Sequence, residues 1–228
     1  MGKFFDIDSP FIQFLNRVAD LMILNFLMMI CCLPIFTIGA SYTAMHYVLL
    51  KMVRKEEGYL LRGFFKSFKQ NFKQATLIWL GMLVMIVFFC VDFWIFRYSE
   101  MEFSKIFMII FLALALIFAF TAVYVFPVLA RFDNSIKNIL KNSVSLAILN
   151  PPKTILMTVA YALPLGLMYF WDYAWMFVFL FGISLPAYAS AFVYSGIFKK
   201  FEPEGEAVAS DYDFSVNTDE GNEEIDEQ

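Results

Sequence analysis

From Ile106 to Ala130 the chain runs 25 residues without a charged side chain, and from Ala75 to Phe96 it runs 22 with Asp92 as the single charge. A helix of about 20 apolar residues matches the hydrocarbon core of a bilayer, about 30 Å thick. The remaining composition agrees. Apolar residues make up 61% of the chain, 29 of its 228 residues are Phe and the mean hydropathy is +0.67, which is more apolar surface than a soluble domain can cover. The sequence therefore predicts an all-α polytopic membrane helix bundle. No short hydrophobic stretch with a small-residue cleavage pattern precedes the first apolar run, so the first helix is expected to serve as the insertion signal.

The layout turns on Leu33 to Ala44. Ser9 and Pro10 predict a helix start, Ser as N-cap and Pro at the first helical position, opening a span over about 10–33. Pro34 lacks a backbone donor and Gly39 permits a sharp change of direction, so the helix ends or breaks there. A second helical pattern follows over about 40–54. One straight helix over Leu21 to Leu50 would measure roughly 45 Å, too long for the core. A hairpin with its uncharged turn outside satisfies the positive-inside rule; the alternative is one broken span. With further spans over about 75–97, 106–130, 154–171 and 174–198, the chain has six crossings, or five if Leu21 to Leu50 is one span.

Charge sets the orientation. Lys51 to Lys73 carries seven basic residues, and Arg131 to Lys153 carries Arg131, Lys137, Lys141 and Lys153 against Asp133 alone, so both segments read as cytoplasmic. Each predicts an amphipathic interfacial helix. The first, about 60–74, has Leu61, Phe64, Phe65, Phe68 and Phe72 on one face and Arg62, Lys66, Lys69 and Lys73 elsewhere. The second, about 134–149, carries Ile136, Leu140, Val144, Ala147 and Ile148, is capped by Asp133 or Asn134, and stops before Pro151 and Pro152. Their cations are candidates for binding anionic lipid head groups or for docking a protein. The reading is a multi-pass protein of the cell membrane with both termini cytoplasmic. Residues 1–201 form the membrane domain, with 17 basic against 10 acidic residues. Residues 202–228 carry the other 11 acids and predict a disordered cytoplasmic tail.

An internal repeat is suggested by placing Thr43-Ala44 over Thr121-Ala122. This sets Arg54 near Arg131, the two amphipathic helices over each other, and Asp92-Phe93-Trp94 near Trp171-Asp172-Tyr173. Parallel repeats occur in transport proteins, with sites at the repeat interface. Chance similarity between apolar segments is the equal alternative.

Little chemistry is legible. Asp92 and Asp172 are acids near span ends, at the level of Trp94, Trp171 and Trp175. These residues form either an aromatic belt or an outward-facing site for a polar ligand such as a sugar. Asn25 and His46 are intramembrane polar residues that face each other across the hairpin as a relay, or else make interhelical hydrogen bonds. Cys31, Cys32 and Cys90 lie in apolar runs with one His in the chain, so no metal, cofactor or disulfide is expected. No nucleophile and base, phosphate loop or nucleic-acid signature is present, and no enzymatic activity is expected.

The run Leu24-Asn25, Cys31-Cys32-Leu33-Pro34-Ile35, Thr37-Ile38-Gly39-Ala40, Thr43-Ala44, Val53 to Tyr59 and Phe64 to Ala75 resembles the YesL-like family of bacterial integral membrane proteins. The match is specific in the first third of the chain and looser to about Lys200. That family is a domain of unknown function, found mostly in Gram-positive bacteria and often encoded beside carbohydrate ABC transporters. The resemblance implies a non-enzymatic accessory or partner of a carbohydrate uptake system; a small transporter or sugar-binding membrane protein is the alternative. It supplies no site residues.

Overall fold

The computed structural model describes residues 10–56, 58–98 and 104–201, without the side chains of Phe96, Arg97, Ser104 and Lys105. Ser9, Glu100, Glu102 and the acidic tail lie outside the described residues. Two units are distinguished, Met1–Ser195 and Gly196–Gln228.

Every element in the described residues is helical: α1 (Pro10–Cys31), a single 3-10 turn (Ile35–Thr37), α2 (Ile38–Arg54), α3 (Leu60–Tyr98), α4 (Ser104–Arg131), α5 (Ile136–Leu149), α6 (Pro151–Phe170), α7 (Ala174–Phe181) and α8 (Ser184–Phe198). Four of these, α1, α3, α4 and α6, are long and apolar enough to cross a membrane, and α7 with α8 makes a fifth as a pair bent by 54°. The expected single helix over 174–198 is therefore broken. At the break a Cβ on Gly182 would collide with the Val178 carbonyl. α2, at 17 residues, is shorter than these spans, so the structure supports four or five crossings and leaves the sixth to inference.

The first 75 residues hold two corrections. The expected interfacial helix over about 60–74 is no separate element: it continues into the span as one helix of 39 residues, α3. Nothing between Lys69 and Ala75 stops helix propagation, since the segment lacks Pro and Gly. At the corresponding place in the second half, Pro151 and Pro152 follow Asn150 and part α5 from α6. The second correction concerns Gly39, which lies inside α2 with no left-handed backbone, Lys55 being the non-glycine residue with positive φ. Its missing side chain serves helix packing. A Cβ there would stand 2.5 Å from the Ala75 carbonyl oxygen and 2.6 Å from the Trp79 Cβ.

The turn itself is built by Pro34 and Thr37. The Thr37 hydroxyl stands 2.6 and 2.7 Å from the Cys31 and Pro34 carbonyls and shares its one proton between them at the end of α1. Trp79 Nε1 donates to the Ile35 carbonyl at 2.8 Å and ties the turn to α3. α2 is the central element, packed on α1, α3 and α4, and Ala40, Ala44, Met45 and Leu49 are fully buried. By contrast Val84 to Ile95 of α3 and Ile106 to Ile117 of α4 present mostly exposed apolar side chains. A surface of that extent is stable against lipid and not against water.

α5 packs on α4 through Ile139, Ser143 and Leu146. The expected apolar stripe divides: Ala147 is buried, while Leu140, Val144 and Ile148 stay exposed beside the packed face. Its N-cap position is Ser135, not Asp133 or Asn134.

Candidate functional site

Tyr42 and His46 stand four residues apart on α2 and so share one face, with Arg54 about two turns further on. That face meets α6 and α8. His46 is fully buried; its Nδ1 lies 3.0 Å from the Tyr194 hydroxyl and its Nε2 lies 3.3 Å from the Tyr161 hydroxyl. A neutral imidazole has one donor and one acceptor nitrogen, so one tyrosine hydroxyl accepts from the ring and the other donates to it. The rings of Tyr42 and His46 meet edge to face at 4.9 Å, and Tyr42 lies 6.3 Å from Tyr161 between centroids. Ser190 stands beside Tyr161, its hydroxyl buried and without a hydrogen bond of good geometry. One turn beyond Tyr194, Arg54 Nε donates to the Ser195 hydroxyl at 3.4 Å.

A second buried junction is made by Asn25, which is also fully buried. Its Oδ1 accepts from the backbone N–H groups of Ile183 and Ser184, both at 3.1 Å, and its Nδ2 donates to the Phe179 carbonyl at 2.8 Å. Breaking α7 from α8 frees backbone groups inside an apolar bundle, and one amide side chain satisfies three of them. Asn25 and His46 both make interhelical hydrogen bonds, but to different partners and not to each other.

These bonds fix the path of the chain between them. Along α8, Ser184 and Ser195 are 11 residues apart, or roughly 16 Å. A straight rod from Asn25 to Arg54 would span roughly 44 Å, so both ends can reach α8 only because the chain changes direction at Pro34.

The remaining candidates are dispersed. Trp94, Trp171 and Trp175 are exposed, Asp172 lies in the exposed turn between α6 and α7, and Asp92 on α3 has a carboxylate oxygen buried without a hydrogen-bond partner among the described residues. No hydrogen bond or ring contact among the described residues joins the Asp92 and Asp172 clusters. Arg62, Lys66, Lys69 and Lys73 are exposed on α3, as are Lys137 and Lys141 on α5, and Gln74 Nε2 donates to the Asn134 carbonyl at 2.5 Å. That bond places Lys69, Lys73 and Lys137 within about two helical turns of a common point. No three His, Cys, Asp or Glu side chains among the described residues are grouped to hold a metal.

Residues 21–93 match the model of a family described as a protein of unknown function, DUF624. The uncharacterized protein YesL of Bacillus subtilis (strain 168) is 27% identical over 150 residues, covering 65% of this chain and 70% of that protein. These matches support a YesL-like, DUF624 family. No solved structure matches the chain.

The DUF624 segment holds Asn25, the Pro34 turn, all of α2, the basic part of α3 and Asp92, whereas Tyr161, Ser190 and Tyr194 lie beyond it. His46 is thus in the matched segment and its hydrogen-bond partners are not. Sequence reasoning missed these partners. The available signal was that Tyr161 and Tyr194 sit within spans, several residues inside the level at which interfacial aromatics collect.

Proposed function

We propose that this YesL-like chain is a non-enzymatic accessory of a carbohydrate uptake system in the cell membrane. In this reading α2 is a sixth crossing, both termini and the two basic segments are cytoplasmic, and the cations of α3 and α5 dock a transporter component against an anionic inner leaflet. The observation that carries it is the bond between Gln74 and Asn134, because it gathers separate cationic segments into one exposed patch. The buried polar side chains, in contrast, are largely engaged with one another. The carbohydrate part comes from the genes that the YesL-like resemblance implies as neighbours. Replacing Lys69, Lys73 and Lys137 by Glu tests the proposal: co-purification with a transporter subunit should be lost and uptake should fall, with thermal stability unchanged. Intact uptake with no captured subunit in either protein would sink the idea.

A second reading is a small transporter or sugar-binding membrane protein using Asp92 and Asp172 with Trp94, Trp171 and Trp175. Its support is the carboxylate oxygen of Asp92 that is buried without a hydrogen-bond partner among the described residues, since an acid in a span without a partner is costly. On this reading one sugar of a panel raises the melting temperature of the native protein and fails to do so for Asp92→Asn. No stabilisation by any sugar counts against it.

A further inference from the structure

The buried polar groups of α2 are not scattered. Starting at the Pro34 turn, the Cys32 thiol lies beside the Ser41 hydroxyl and within interaction distance of Tyr42. Tyr42 contacts Tyr161 and His46, His46 joins Tyr161 to Tyr194, and the next residue, Ser195, accepts from Arg54 at the basic end of α2. From Ile38 to Arg54 the helix rises roughly 24 Å, comparable with the hydrocarbon core of about 30 Å. These polar groups therefore form a seam that accompanies α2 over most of its length, from Ser41 to Arg54.

We propose that this seam is a proton pathway, with His46 as the relay between Tyr194 and Tyr161. The inference does not rest on the accessory role and adds an activity to the chain. His46 is suited to the step because each ring nitrogen already faces a hydroxyl. A proton passes when the Tyr194 O–H bond breaks and an N–H bond forms at Nδ1, while the Nε2–H bond breaks and an O–H bond forms at Tyr161. Tyr161 hands its own proton to Tyr42, which releases one towards the half-buried Cys32 thiol and solvent at the Pro34 turn, and Tyr194 regains one from water by way of the Ser195 hydroxyl, Arg54 staying protonated throughout. The imidazole is neutral before and after and has only exchanged tautomers, so no charge is left in the bundle and no co-reactant is needed. Return of the ring to its first tautomer resets the relay. The titratable groups facing this step are Tyr42 on α2 itself, Tyr161 from α6 and Tyr194 from α8, with Cys32 and Arg54 at its two ends.

A mere structural clasp needs the hydrogen bonds; a relay needs the tautomer exchange as well. His46→Gln separates them, because an amide can donate to one tyrosine and accept from the other but cannot pass a proton through a conjugated ring. The purified full chain in proteoliposomes, with a potassium diffusion potential and an internal pH dye, should acidify faster than protein-free vesicles. His46→Gln, at unchanged melting temperature, should return the rate to that of protein-free vesicles. Tyr161→Phe, which keeps the ring packing, should do the same and serves if the first variant does not fold. Native protein no faster than empty vesicles, or undiminished flux in either folded variant, overturns the proposal.

Discussion

Gly39 shows how one missing methyl group positions the bundle. α3 lies against α2 so closely at Ala75 and Trp79 that a Cβ at residue 39 has no room, and the neighbouring atoms are backbone and Cβ, which cannot swing aside. Gly39→Val should lower stability by about 1–3 kcal/mol, the usual scale of overpacking. Gly81→Ala on the open face of α3 should be neutral or slightly stabilising, as Ala gains up to about 1 kcal/mol over Gly in a helix. Thermal unfolding in detergent reads both, and a Gly39 variant as stable as the native protein would contradict the close packing. Gly39 looked in the sequence like a residue for turning the chain, because Pro34 stands nearby. The turn is instead held by the Thr37 hydroxyl and Trp79 Nε1. Asn25 is comparable: its polarity within a span is plain from sequence, but its three backbone partners exist only because α7 and α8 are broken 150 or more residues away.

Among the elements, α3 departs most from expectation. Its first turns are amphipathic and basic, and its remainder is a membrane span; hydropathy changes at Gln74 while helix propensity does not, so the change in polarity marks no end of the helix. Spin labels at 62 and 94 should lie roughly 48 Å apart along a continuous helix, against roughly 35 Å if the first part folded at a right angle onto the membrane surface. Pulsed electron–electron distance measurement distinguishes the two. Where propensity and hydropathy change together, as at Asn150 before Pro151, the sequence marked the element end correctly. The two halves, α2 with α3 and α4 with α5 and α6, resemble each other in element order and differ in this one connection.

At the scale of the molecule, the orientation proposed from the basic segments has a direct consequence. A cysteine placed at Tyr173, in the exposed turn after α6, should react with an impermeant maleimide added to intact cells, whereas one at Tyr59, equally exposed before α3, should react only after permeabilisation. The reverse pattern would invert the topology. By itself the sequence determined the membrane class, the four long apolar helices and the boundary marked by Pro151, because these depend on local composition, periodicity and missing backbone donors. The tertiary structure alone decided that Asn25 closes the break between α7 and α8 and that His46 lies between Tyr161 and Tyr194. Each of these is a contact between helices more than 100 residues apart, and which faces of apolar helices meet is set by packing that no local pattern encodes.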